Sequence, residues 1–193
     1  SLAPGVSIFS LSFITLFSAT LISRDRESSF MERLYTTPMK SIEFILGYIL
    51  SILPIAIMEC AVSYLVSIFL GLNFSINILV ALLLTLPIAV LYIALGLLFG
   101  SVLNVKQVGG ICGALLTNLS AWLSGVWFDI SLIGGAFKKI AELLPFYHSV
   151  ELVRAAVIGD FLGALNHLAV PLVYMVLILA LAIKFFLCGM KKG

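Results

Sequence analysis

From residue 60 to residue 105 the chain carries no charged side chain at all, a run far longer than the helix or strand of a soluble core. Such a run is at home only in lipid, where every backbone N–H and C=O must find its partner inside the chain, so that helices and closed barrels are the only structures able to cross. The apolarity is continuous and does not alternate, which excludes a barrel. Only 10% of the residues are charged and 62% are apolar, where a soluble domain has roughly a quarter charged.

Other runs free of Asp, Glu, Lys and Arg cover residues 1–23, 44–58, 107–128 and 161–183, with Glu59 alone separating the second from the long run. One crossing takes roughly 20 residues, so the long run holds more than one. It breaks at GLNFSIN (71–77), where Gly71, Asn73, Ser75 and Asn77 supply turn chemistry. The expected fold is an all-α, polytopic transmembrane bundle forming one domain over 1–193, with five spans at about 5–23, 42–71, 77–103, 108–128 and 165–187. A charged segment, 24–40, joins the first two spans, and a segment at 129–164 precedes the last.

Connecting loops that stay in the cytoplasm retain Lys and Arg. Arg24, Arg26, Arg33, Lys40, Lys106, Lys184, Lys191 and Lys192 fall on one side, against Lys138, Lys139 and Arg154 on the other. The first group is expected to face the cytoplasm, which predicts a multi-pass protein of the inner (cytoplasmic) membrane with a cytoplasmic C-terminus. The N-terminus then falls outside, with no initiator Met and no basic region before the first span, so a further crossing is expected upstream and Ser1 is read as an interior start. The net charge of +2 is too small and dispersed to imply nucleic acid. Cys60, Cys112 and Cys188 lie singly in apolar spans without C-x-x-C spacing and read as packing residues.

The charged segment holds two helix starts. Ser29 and Glu32 have capping-box spacing, which predicts a short helix from about Phe30 with Phe30, Met31, Leu34 and Tyr35 on one face and Glu32 and Arg33 on another. Pro38 ends it, and Thr37 and Pro38 then suit the N-cap and first position of the second span. Two turns cannot hold a helix in water. The segment therefore needs a surface, either the membrane interface or a partner protein.

The residues of this segment resemble a known pattern. RDRESSFMERLYTTP (24–38), followed by EFILG (43–47), is similar to the R-E-R-E-x-G-T-L-E-R-L-x-x-T-P-like signature of the ABC type-2 transporter permease family. Downstream, LSGVWF (123–128) resembles that family's L-S-G-x-x-F, and LPFYHSVELVR (144–154) resembles its L-P stretch ending in Arg. The chain departs from the pattern at Ser29 in place of Gly, Phe30 in place of Thr, and Asp129 in place of a common Pro.

The resemblance implies six spans in the full protein and a coupling helix that docks on a separate ABC ATP-binding subunit through Glu27, Ser29, Phe30, Met31, Glu32, Arg33, Leu34, Thr36 and Thr37. It implies a second permease copy, in a homo- or heterodimer, and a re-entrant helix pair before the last span acting as an outer gate. Glu59, Asn118, Ser124, Phe128, Pro145 and Arg154 are the candidate path or gate residues. ATP and Mg would belong to the partner, since the chain has no G-x-x-x-x-G-K-[ST] loop. Movement of substrate outward is expected, with an ATP-independent transporter or channel as the alternative reading.

An intramembrane protease is a further alternative, because Ser124 lies near a span end and two histidines come after it in the chain. The chain offers WLSG where the serine type wants G-x-S-G, and VIGD where the aspartyl type wants G-x-G-D. No metal site is expected: His148 and His167 lack H-E-x-x-H context and no Cys or carboxylate cluster joins them. Glu59, near the middle of the second span, must face protein or water, either lining a route or tying helices together as a hydrogen-bonded carboxyl. Gly96 and Gly100, with Gly109 and Gly113, predict close packing of the third and fourth spans, or a dimer contact. In the external segment, Phe137, Ile140, Ala141 and Leu144 oppose Lys138, Lys139 and Glu142 until Pro145 interrupts, and a second short helix is expected from about Ser149 to Gly159.

Overall fold

In a computed structural model of the chain, the described residues are 3–28, 41–72, 74–127, 130 and 134–190. Side chains are described for these except at 41 and 187–190. They form helices α1 (Ala3–Glu27), α2 (Ser41–Phe69), α3 (Ile76–Val102), α4 (Val105–Val108), a π-helical stretch (Gly109–Leu116), α5 (Thr117–Leu123), α6 (Gly135–Leu143), α7 (Pro145–Ile158) and α8 (Phe161–Met190). No strand occurs among the described residues. Among the described residues four helices, α1, α2, α3 and α8, are long and apolar enough to cross a membrane.

The fifth expected span, 108–128, takes a different form. Residues 105–123 are helical throughout but pass through α4, the π stretch and α5 in turn. Thr117 Oγ1 donates to Cys112 O at 2.9 Å, a five-residue reach that matches the wider π register. Asn104 starts the run with a capping box: its Oδ1 accepts from Gln107 N at 2.9 Å, while Gln107 Oε1 accepts from Asn104 N at 3.2 Å.

Helix α3 is the hub of the bundle, packing against α1, α8, α7 and α2. It runs apolar all round, as an enclosed helix must, and Leu91, Ile93, Ala94 and Leu97 have no exposed surface. Helix α2 is one-sided: Ile45, Ile49, Ile52, Ala56, Cys60 and Tyr64 recur every three or four residues and are buried, while Leu50 is 73% exposed and Met58 67%. That outer face is as apolar as the inner one, the pattern of a helix bathed in lipid. Helix α1 reverses the soluble rule. Ser7, Ser12, Thr15, Ser18 and Ser23 are buried against the bundle while Val6, Phe13 and Phe17 face outward.

The reason lies in the contact between α1 and α3. Lipid is as apolar as a Leu side chain, so helices adhere by close backbone approach and short polar side chains. A Cβ on Gly96 would lie 1.8 Å from Ser18 Oγ and 2.5 Å from Thr15 O, and one on Gly100 would lie 1.9 Å from Ile22 Cγ2 and 2.6 Å from Ala19 O. Thr15 Oγ1 donates to Tyr92 O at 2.8 Å across the same interface. Gly96 and Gly100 thus serve the first span and not, as their spacing suggests, the fourth. Gly113 also looks toward α1, at Leu16, and Gly109 meets nothing.

The hairpin between α2 and α3 forms where expected. Gly71 takes φ +103, Leu72 N donates to Ser67 O at 2.9 Å, and Ser75 caps α3 by accepting from Asn77 N. Helix α1, in contrast, runs on to Glu27, four residues past the expected end of the span, because the limit of charge-free sequence is the limit of the hydrocarbon and not of the helix. Arg24 and Arg26 in its last turn favour the helix C-terminus. Helix α7 begins at Pro145 and not at Ser149. Proline lacks only an N–H that the first turn leaves unpaired, and Leu144 before it is extended at φ −90, ψ 151. Helix α7 ends as expected at Gly159, φ +94, whose N–H reaches Ala155 O and Ala156 O. The last span starts at Phe161, ahead of the expected 165, since Asp160 Oδ1 accepts from Gly163 N at 2.9 Å and caps it.

Candidate coupling and translocation sites

The helices meet at two ends. At the first, α1 delivers Asp25, Arg26 and Glu27 to the neighbouring helix termini. Tyr48 Oη on α2 donates to Asp25 Oδ2. Arg26 Nη1 donates to Gly100 O at 2.8 Å and to Leu103 O at 3.4 Å, carbonyls that the end of α3 leaves without helical partners. Glu27 Oε1 accepts from Val105 N at 3.3 Å, the matching donor at the start of α4. Arg24, Glu27, Asn104, Val105 and Lys106 line a cleft of ≈ 560 Å³ there. Phe186 of α8 stacks on Phe44 of α2 at 4.5 Å, bringing the end of the last span to the same level.

Of the expected coupling residues, Glu27 is in this cluster. Ser29, Phe30, Met31, Glu32, Arg33, Leu34, Thr36 and Thr37 lie outside the described residues, as does the short helix expected there. The segment that carries them begins directly after Ser28 and rejoins the bundle at α2. In the sequence, Arg24 and Arg26 read as orientation charges, and Asp25 and Tyr48 carry no evident role. The available signal is that Arg24, Asp25, Arg26 and Glu27 alternate in sign beside a helix end, where backbone groups are unpaired.

Within the bundle, Glu59 is half-buried and lies beside Ser10 of α1, whose hydroxyl donates to Ser7 O at 2.8 Å. One turn away, Tyr64 and Cys60 reach Ser7: Ser7 Oγ donates to Tyr64 Oη at 3.4 Å and Cys60 Sγ to Ser7 O at 3.7 Å. These contacts make Glu59 part of a polar seam between α1 and α2. Tyr92, wholly buried on α3, approaches Ser120 Oγ of α5 at 3.3 Å and lies 6.1 Å from the Phe146 ring of α7. Nothing in the sequence hints at its central place, since it reads as one more apolar residue of a long span.

The remaining candidates do not converge. Asn118 is exposed and donates to Ala114 O of its own helical run at 2.6 Å, while Ser124 is buried and donates to Ala121 O at 3.1 Å. Pro145 is buried at the start of α7, and Arg154, on the same helix, pairs with Glu151. Phe128 lies outside the described residues.

At the second end, Asn77 Nδ2 of α3 donates to Val157 O at 3.5 Å, and Tyr174 Oη of α8 donates to Leu143 O at 3.1 Å. His148 and His167 hydrogen-bond to each other. With the Ser124 hydroxyl held by its own helix and the histidines held by one another, no serine–histidine pair assembles among the described residues. Helices α6 and α7 precede the last span, with Lys138 and Glu142 3.7 Å apart along the exposed side of α6.

A protein-family model described as ABC-2 type transporter matches residues 2–158. Neither the curated proteins nor the solved structures give a match.

Proposed function

From its membership of the ABC-2 type transporter family, to which this chain belongs through a match over residues 2–158, we propose that it is the permease subunit of an ATP-driven exporter. The family makes it the membrane component of an ABC transporter, a transport and not a catalytic part. In the proposal, a separate ATP-binding subunit hydrolyses ATP with Mg, docks on the segment 24–40, and drives an unidentified substrate outward through a pathway formed with a second permease copy.

The observation that carries this reading is the anchoring of that segment. It springs from a helix end tied by Arg26 to the end of α3 and by Glu27 to the start of α4, and it returns to α2, itself tied to α1 through Tyr48 and Asp25. A push on the segment is thereby delivered to every helix that ends there. The seam of Ser7, Ser10, Glu59 and Tyr64 joins the same two helices deeper in the bundle, and supports a role for Glu59 in holding them together.

The test is the docking itself. Glu32→Lys and Leu34→Asp, each made in the full transporter, are expected to abolish copurification with the ATPase subunit and to bring export to background. Variants that still copurify and still export would remove the docking role and favour an ATP-independent carrier, for which an ion gradient alone would drive transport in liposomes.

A further inference from the structure

The chain contains two histidines, and the fold brings them together from helices α7 and α8. Their Nδ1 atoms are 2.9 Å apart, and the Tyr147 ring stands edge-on to both. His148 Nε2 lies 2.7 Å from Glu142 O. A carbonyl only accepts, so His148 carries its proton on Nε2 and presents a bare lone pair at Nδ1. His167 then supplies the Nδ1–H of the pair.

We propose that His148 and His167 form a two-imidazole site for a divalent transition-metal ion of the Zn²⁺ or Ni²⁺ class. Imidazole is the ligand type these ions favour. A metal–nitrogen bond of about 2.0–2.1 Å, with the angle between two such bonds at about 90–110°, sets the nitrogens about 2.9–3.4 Å apart, and the pair already stands at the lower limit of that range. The second shell is also in place. A metal-binding histidine commonly donates its other N–H to a backbone carbonyl, which fixes the ring and its tautomer, and His148 does so at Glu142 O. Binding requires that His167 shift its proton from Nδ1 to Nε2 and that the two half-buried rings turn, so that Nδ1 lone pairs now aligned in a hydrogen bond converge on the ion.

No group of three or more His, Cys, Asp or Glu suited to a metal occurs among the described residues, so water completes the coordination. The charged groups around the pair are Glu142 at the end of α6, in ion-pair range of Lys138, and Glu151 on α7, paired with Arg154. The ion would clamp the end of α6, the first turn of α7 and the second turn of α8 together across the Gly159 turn, fixing the short helices against the last span.

The full chain, purified in detergent with a tag free of histidine, is labelled selectively on histidine and titrated with Zn²⁺. With two histidines the spectrum has two sets of ring resonances, and both are expected to shift together and saturate at one ion per chain. Shifts of neither, or of one alone, overturn the site. In parallel, calorimetric titration with Ni²⁺ is expected to show one site, weakened at least about tenfold by either His148→Ala or His167→Ala, a loss that even second-shell substitutions cause. Binding unchanged in either variant would place the ion elsewhere and overturn the assignment. The labelled wild-type experiment stands should a variant fail to fold.

Discussion

Two glycines of identical type, nine residues apart, have opposite tolerance for a methyl group. At Gly100 a Cβ would run into Ile22 Cγ2 and the backbone of Ala19, whereas at Gly109 it meets nothing within 4 Å. Backbone cannot step aside as a side-chain tip can, so Gly100→Ala should destabilise the fold by about 1–3 kcal/mol, the usual cost of overpacking. Gly109→Ala should be neutral or slightly stabilising, because alanine is the better helix former. Thermal unfolding of the two variants in one detergent checks this, and equal melting temperatures would show that α1 and α3 do not touch at Gly100. The glycine spacing was legible in the sequence as a place of close approach, but spacing says how near a partner can come and not which helix it is. The histidine pair was illegible for a related reason: His148 and His167 lie on different helices, and only the turn at Gly159 brings their rings within hydrogen-bonding distance.

At the scale of elements, the long apolar helices were readable because lipid leaves the backbone no alternative to internal pairing. The turn at Gly71 was readable because its chemistry is local. Helix ends were less so: α1 continues through Arg24 to Glu27 and α7 starts at Pro145, since caps and dipoles set those limits where the hydrophobic pattern has already stopped. The π stretch at Gly109–Leu116 leaves no mark in composition. The late end of α1 has mechanical weight, because Arg26 reaches the orphan carbonyls of Gly100 and Leu103 only if α1 persists beyond the apolar run. Arg26→Gln shortens that reach and should loosen the α1–α3 end by about 1.5 kcal/mol, the lower end of the range for hydrogen bonds to charged groups because the side chain is exposed. Under the proposed function the variant should retain its ATPase partner and hydrolysis but lose most export. Full export from Arg26→Gln would mean that force does not travel through this contact.

The whole molecule has two unlike ends, and their difference in charge bears on which way the bundle is oriented in a membrane. Arg24, Arg26, Lys106 and Lys184 gather where α1 and α3 finish, as the bonds of Arg26 and the stacking of Phe44 on Phe186 require. Lys138 and Arg154 lie on the short helices at the other end, where Asn77 meets Val157. Positive charge is retained on the cytoplasmic side, so the segment 24–40 should be cytoplasmic and α6 and α7 external. Cys60 and Cys112 are buried, which leaves a low background for thiol labelling once Cys188 is replaced by Ser. In intact cells a membrane-impermeant maleimide should then modify Lys139→Cys but reach Tyr35→Cys only after permeabilisation. The opposite pattern would turn the bundle over and put the segment out of reach of any ATP-hydrolysing partner. The helix contacts and the histidine pair would stand, while the coupling role would fall, because a docking surface has meaning only on the side where ATP is found.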